Sequence, residues 1–196
     1  MVTASEALTV NEAAFLAGVS ARRIEKAAEE GIVPKTKMRL WLRRNEVAHV
    51  PMHTVAYAVT LMRMRGVRME TSAKKRIWSF LKRTHDENLG VVHLSAGLSL
   101  TLNDVAGTEW IKTLRYLRAR EEHLSSDPEV FGGEPVIAGT RITCRSVLGR
   151  VSGGETLDEL TEDYPEIPRE AFEAAEIYAR THPPRGRPES GKPWRA

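Results

Sequence analysis

The chain has 196 residues, 41% of them hydrophobic but only 6% aromatic, so packed cores must lean on Leu, Val, Ile and Ala. Its single cysteine, Cys144, excludes an internal disulfide and a cysteine-rich metal site, and suits a reducing compartment. No apolar leader opens the chain and nowhere do eighteen apolar residues run together, so a soluble, cytoplasmic protein with no membrane contact is expected.

The net charge of +3 is unevenly spread. Basic residues outnumber acidic ones by 11 to 7 over residues 1–70 and by 9 to 6 over 71–123. The balance reverses to 5 against 12 over 124–182 and returns to 4 against 1 over 183–196. Such blocks suit different partners for different parts of the chain, although solvated helix faces produce the same asymmetry.

Thr9-Val10-Asn11-Glu12 is a capping box and predicts a helix through Leu16 that stops at Gly18. Ser20 then suits the N-cap of a second helix, with Ile24, Ala27 and Ala28 apolar and Gly31 as its stop. Two short helices joined by a glycine turn are the helix-turn-helix layout, with Gly18 tolerating the positive φ of the turn. Ser20, Arg22, Arg23 and Lys26 lie at the start of the second helix, and the three cations share the face opposite Ile24 and Ala28. In that layout arginine pairs with guanine edges and lysine meets phosphate. Residues 32–34 and 38–44 read as two strands of a wing, offering Arg39, Arg43 and Arg44 to phosphates. The stretch LTVNEAAFLAGVSARRIEKAAEEGIVP resembles the MerR/excisionase type of winged helix-turn-helix, which implies operator DNA as a partner. The wing lacks that family's Gly/Tyr-rich signature. The other reading is a small helical bundle with a solvated arginine face.

Residues 51–123 read as a helical connector with a hairpin. Pro51 suits the first position of a helix that carries Val55, Tyr57, Ala58, Val59 and Met62. A further helix has Ala73, Ile77, Phe80 and Leu81 on one side, and Lys74, Lys75, Arg76, Lys82 and Arg83 on the other. Residues 91–102 alternate as a hairpin. A three-residue loop Ser95-Ala96-Gly97, with Gly97 left-handed, would pair Val92 with Leu100 and Leu94 with Leu98. The helix carrying Trp110, Ile111, Leu114 and Leu117 is its expected cover.

Residues 127–142, DPEVFGGEPVIAGTRI, predict two brief strands, Val136-Ile137 and Arg141-Ile142, around a tight turn. Thr143 caps a following helix, Thr156-Leu157-Asp158-Glu159 is a second capping box, and Pro168 opens a last helix with Ala171, Phe172, Ala175 and Tyr178 on one stripe. The pattern G-G-x-P-V-I-x-G-T-R-I, with GETLDELTEDYPEIPREAFEAAEIYA after it, resembles domain-of-unknown-function family number 433 over residues 124–182. That resemblance implies an antitoxin of the VapB kind, beside a toxin with a PIN-like ribonuclease fold. The acidic helices of this block would repel phosphate, which assigns it to protein contact. Arg141 and Arg145 are the exceptions, with a salt bridge inside the block expected for Arg141.

Four prolines and two glycines in residues 183–196 predict a flexible basic tail. A PIN-like nuclease holds its metal in a cluster of carboxylates. Arg185, Arg187, Lys192 and Arg195 could enter such a cleft with Trp194 as anchor, making the tail the toxin-binding arm; an ordinary solvated tail is the alternative. The six histidines are scattered, and His49 and His53, four apart, are separated by Pro51. With no phosphate loop and no G-x-S-x-G elbow, neither an enzyme nor a cofactor is expected.

The expected fold is therefore mainly α with small β elements (α+β). It comprises a winged helix-turn-helix over 1–50, a connector over 51–123, a small helix-turn-helix-like domain over 124–182 and the tail over 183–196. The expected function is that of a type II antitoxin, a homodimer or a hetero-oligomer with toxin, that binds its ribonuclease and represses its own operon. The alternative is a stand-alone transcriptional regulator with a partner- or ligand-sensing C-terminal domain.

Overall fold

The computed structural model describes residues 6–38 and 46–183. These are mainly helical with three small antiparallel sheets, as the α+β expectation has it. β1 (Ala7–Thr9) is wholly buried and ends where Thr9 caps α1 (Val10–Ala17). Gly18, at φ 61° and ψ 33°, takes the left-handed conformation that lets the Val19 amide reach back 3.0 Å to the Ala14 carbonyl. α2 (Ala21–Glu29) follows, with Ser20 at its N-cap but making no side-chain cap bond.

Ile32 and Val33, expected in a strand, instead plug the core beneath α2. Both amides bond the Ala27 carbonyl at 3.2 Å, so the helix end holds them and the strand starts later. It is β2 (Thr36–Met38), and its partner is β3 (Val47–Pro51), with Thr36 opposite His49. β3 also pairs β1 on its other edge, Leu8 opposite Val50, giving the order β1-β3-β2. Pro51 therefore closes a strand rather than opening a helix. Without an N–H it suits a strand end, and α3 (His53–Arg63) starts two residues later. The expected boundary at residue 50 thus falls inside β3.

α4 (Thr71–Leu81) leads to the hairpin of β4 (Val91–Ser95) and β5 (Leu98–Thr101). Val92 faces Leu100 as expected, but the register shifts between His93 and Ser95, so Ser95 and not Leu94 pairs Leu98. The bulge leaves Leu94 buried and Leu98 exposed. Gly97 is left-handed, at φ 75°. α4 is the main cover of β4, with the Arg76 guanidinium donating to the Leu94 carbonyl at 2.5 Å.

α5 (Leu102–His123) is the central rod, 22 residues and about 33 Å long. Its buried line runs Leu102, Ala106, Trp110, Thr113, Leu117 and Arg120, at helical three- and four-residue spacing. Ile111 and Leu114, expected on that line, are only half-buried. Trp110 is fully buried, donates from Nε1 to the Asp86 carbonyl at 2.8 Å and stacks on His53 at 5.3 Å.

β6 (Leu124–Ser125) continues from α5 and pairs β7 (Val136–Ile137). α6 (Cys144–Ser152), α7 (Leu157–Asp163) and α8 (Arg169–Thr181) complete the described chain. α8 packs on α5, α6 and α1, and a single hydrophobic cluster runs from Leu8 to Tyr178 across the expected boundary at 123.

The junction is polar. Glu12, fully buried on α1, accepts from the Tyr116 hydroxyl at 2.5 Å, from Arg120 Nη1 at 2.9 Å and from the Thr9 amide at 2.6 Å. Arg120 Nη2 also donates to the Ala7 carbonyl at 3.0 Å. Burial pushes the Glu12 carboxyl up, but the charges of Arg120 and His182 and the bonds from Tyr116 and Thr9 outweigh it and hold it below its ordinary 4.5. A carboxyl depressed in the folded state contributes stability above its unfolded pKa, which is lost as pH falls through the folded value. Glu12→Gln leaves Arg120 buried without its counter-charge and should cost about 3–5 kcal/mol at neutral pH. In thermal unfolding the gap to the wild type should narrow as pH falls below 4.5, where the unfolded chain takes up a proton that the folded carboxylate still refuses. A gap unchanged down to pH 3 would contradict an ionised Glu12.

Candidate nucleic-acid interface

α2 stands out from the body on one side, with Ile24 and Ala27 buried and Arg22, Arg23 and Lys26 exposed. The three cations are not equivalent. Arg22 Nη1 lies 2.6 Å from Glu29 and 3.7 Å from Glu25, so two carboxylates of its own helix already hold it. The Arg22 bond in turn draws the Glu29 carboxyl below the usual range. Arg23 and Lys26 make no ion pair among the described residues and lie toward α3 and α4. Ser20 is exposed ahead of them. Of the expected α2 residues, Arg23 and Lys26 are thus exposed cations in no ion pair among the described residues, with the Lys26 charge felt at Glu29.

In place of the expected strands over 32–34 and 38–44, β2 pairs antiparallel with β3. Arg39, Arg43 and Arg44 lie outside the described residues, as do Arg185, Arg187, Lys192, Trp194 and Arg195. The basic side of α4 is partly committed, since Lys74 pairs with Glu30 at 3.2 Å and Arg76 holds the hairpin.

In the third block the turn is built differently from the expected pair of strands. β7 pairs with β6, while residues 141–143 make only a return bridge, with the Ile137 amide bonding the Ile142 carbonyl at 2.9 Å and Val136 opposite Thr143. Gly139 turns the chain at φ 76°, and the Thr140 hydroxyl donates to the Ile137 carbonyl at 2.9 Å. Thr143 caps α6 and Thr156 with Glu159 forms the capping box of α7, both as read. Cys144 is buried in α6, its thiol pushed up to about 12 by that burial, which leaves it unreactive.

The acidic helices are less bare than their composition suggests. Arg150 bonds Glu155 and Asp163, Arg169 bonds Asp158 and Glu173, and Arg180 lies 2.8 Å from Glu176. Arg145, not Arg141, makes the internal salt bridge, to Glu134 at 2.8 Å. Arg141 is exposed with no ion pair among the described residues.

His49 and His53 do not converge. His49 Nδ1 meets the Val47 carbonyl in β3 at 2.7 Å and His53 Nε2 the Thr84 carbonyl at 2.8 Å. Among the described residues no three His, Cys, Asp or Glu side chains gather as metal ligands would, and no helix is long and apolar enough to cross a membrane.

Residues 124–179 match the model of the family described as "Protein of unknown function (DUF433)". Along nearly its whole length the chain is similar to the uncharacterized protein y4eO of Sinorhizobium fredii (strain NBRC 101917 / NGR234). Identity is 28% over 203 residues, covering 95% of this chain and 86% of that relative. Among solved structures, the crystal structure of Rv2018 from Mycobacterium tuberculosis covers 89% of this chain and 98% of its own, at 16% identity and a TM-score of 0.39.

The family motif carries its own test. No atom lies within 4 Å of a Cβ built at Gly139, so Gly139→Ala meets no clash and tests backbone conformation alone. A left-handed alanine should cost about 1–2 kcal/mol in chemical denaturation. No loss would mean that the turn accepts another conformation.

Proposed function

We propose that the chain is a DNA-binding regulator of the antitoxin type, represses its own operon and neutralises a PIN-like ribonuclease through its C-terminal part. The observation that carries the DNA reading is the left-handed Gly18 turn that joins α1 to α2, with Arg23 and Lys26 of α2 exposed and in no ion pair among the described residues. α2 enters the major groove, with Arg23 at a base edge and Lys26 at phosphate. The antitoxin reading rests on what the resemblance of residues 124–182 implies, and a surface there of paired acids suits protein more than phosphate. The basic tail over 183–196 is the arm that reaches the carboxylates of the nuclease.

The Arg22 ion pairs sharpen the expected mutational pattern. Arg23→Ala should weaken binding to the chain's own promoter by about 1–3 kcal/mol in a gel-shift or anisotropy titration, and affinity should fall steeply with salt. Arg22→Ala should cost less, because Arg22 is already paired within α2. Equal affinity of Arg23→Ala and wild type would count against α2 as the reading helix.

Removal of residues 183–196 should abolish or weaken inhibition of the ribonuclease encoded beside this gene, while promoter binding stays near the wild-type value. Full inhibition by the shortened chain would discard the arm.

A further inference from the structure

We propose that Phe131, on the loop over residues 126–134, is an anchor that inserts into an apolar, basic-rimmed pocket of the ribonuclease. The inference rests on the function proposed above, and it names a place besides the tail where that partner docks.

Phe131 is unusual in two separate respects. Its φ is 48°, the one positive value outside glycine among the described residues. That left-handed region crowds a Cβ against the following carbonyl, so glycine or asparagine fills it far more readily than a bulky side chain. Its ring is also 57% exposed, so burial does little to offset the strain. A lone exposed apolar side chain is ordinary. One held exposed in a disfavoured backbone conformation is not, and such outliers gather where a partner binds.

The loop is tied down around the ring. Gly132 and Gly133 continue the left-handed run at φ 65° and 84°. The Ser126 hydroxyl donates to the Gly133 carbonyl at 2.8 Å and closes the loop. Within it the Val130 amide bonds the Asp127 carbonyl at 2.9 Å, and the Glu129 amide bonds the Asp127 carboxylate at 2.9 Å. The flanking strands β6 and β7 pair with each other. An aromatic side chain on a loop held this way loses little freedom on docking, and aromatic residues are enriched at the cores of protein interfaces.

The charges beside the ring define the pocket. Arg145 answers Glu134 at 2.8 Å, whereas Asp127 and Glu129 are exposed and make no ion pair among the described residues. An apolar ring with two such carboxylates near it fits an apolar pocket with a cationic rim. A ribonuclease offers one, because it holds phosphates with basic side chains and seats bases against apolar or aromatic surfaces. Asp127 and Glu129 take the part of phosphates there and Phe131 the part of a base. Loop and tail then meet surfaces of opposite sign, the loop at the basic RNA-holding face and the tail at the carboxylates.

Isothermal titration of the full chain into the ribonuclease encoded beside this gene tests this, with EDTA present to stop cleavage. Phe131→Asn removes the ring but keeps a residue that enters the left-handed region readily. It should bind the nuclease about thirtyfold more weakly, bind the promoter as the wild type does and melt no lower. Asp127→Asn with Glu129→Gln should weaken nuclease binding about tenfold at low salt and by less at high salt. A saturating uridine oligonucleotide should displace the wild-type chain. Unaltered affinity in both variants, or a ternary complex of chain, nuclease and oligonucleotide, would overturn the assignment. So would a Phe131→Asn protein that melts well below the wild type, since the ring would then serve the fold. Failure of the wild-type chain to bind the nuclease is a different result: it removes the function proposed above, and the anchor with it.

Discussion

A carboxylate shut away from water must take its counter-charge with it, and in this protein that requirement joins residues 104 and 108 positions apart. Glu12 serves two structures at once. One oxygen closes the capping box that starts α1, and the other receives Tyr116 and Arg120 from the central rod α5. Arg120 then continues to the Ala7 carbonyl, so the strand leading into α1 is tied to the same point. Such a pair adds little net stability, because desolvation offsets attraction. What it supplies is register: α1 fits α5 where Tyr116 and Arg120 both meet the carboxylate that the Thr9 amide already holds.

That register determines where the outer helices stand. α8 lies against both α5 and α1, and the Asn11 amide reaches the Thr181 carbonyl at 3.3 Å. The domain of residues 124–179 therefore does not hang from a linker; its last helix is part of the packing that holds the N-terminal helices. Of α2, by contrast, Ile24 and Ala27 are the buried residues, and the Gly18 turn and the Ile32 and Val33 amides hold its two ends.

The two sides of α2 have different chemistry. Arg22 is held by Glu25 and Glu29, two carboxylates against one guanidinium, so its charge is already answered within α2. Arg23 and Lys26 border a cleft shared with Leu61 and Met62 of α3 and Lys74 of α4.

The caps, the stops and most helix positions were readable from the sequence, because a capping box, a glycine at a helix end or a proline-led start acts within four residues. Thr9 with Glu12, Gly18, Thr143 and Thr156 with Glu159 all act where the local pattern placed them. Tertiary structure decided the rest. Arg120 and Thr113 sit on the buried line of α5, and their polarity shifted the apparent stripe toward Ile111 and Leu114. Ile32 and Val33 look like strand residues but are held by the end of α2, and the ribbon takes Val47–Pro51 in their place. Tyr57 reads as one more apolar residue of α3, since nothing in a sequence tells whether a hydroxyl will find a partner. Long-range pairing sets each of these outcomes, and no local pattern records which distant groups will meet.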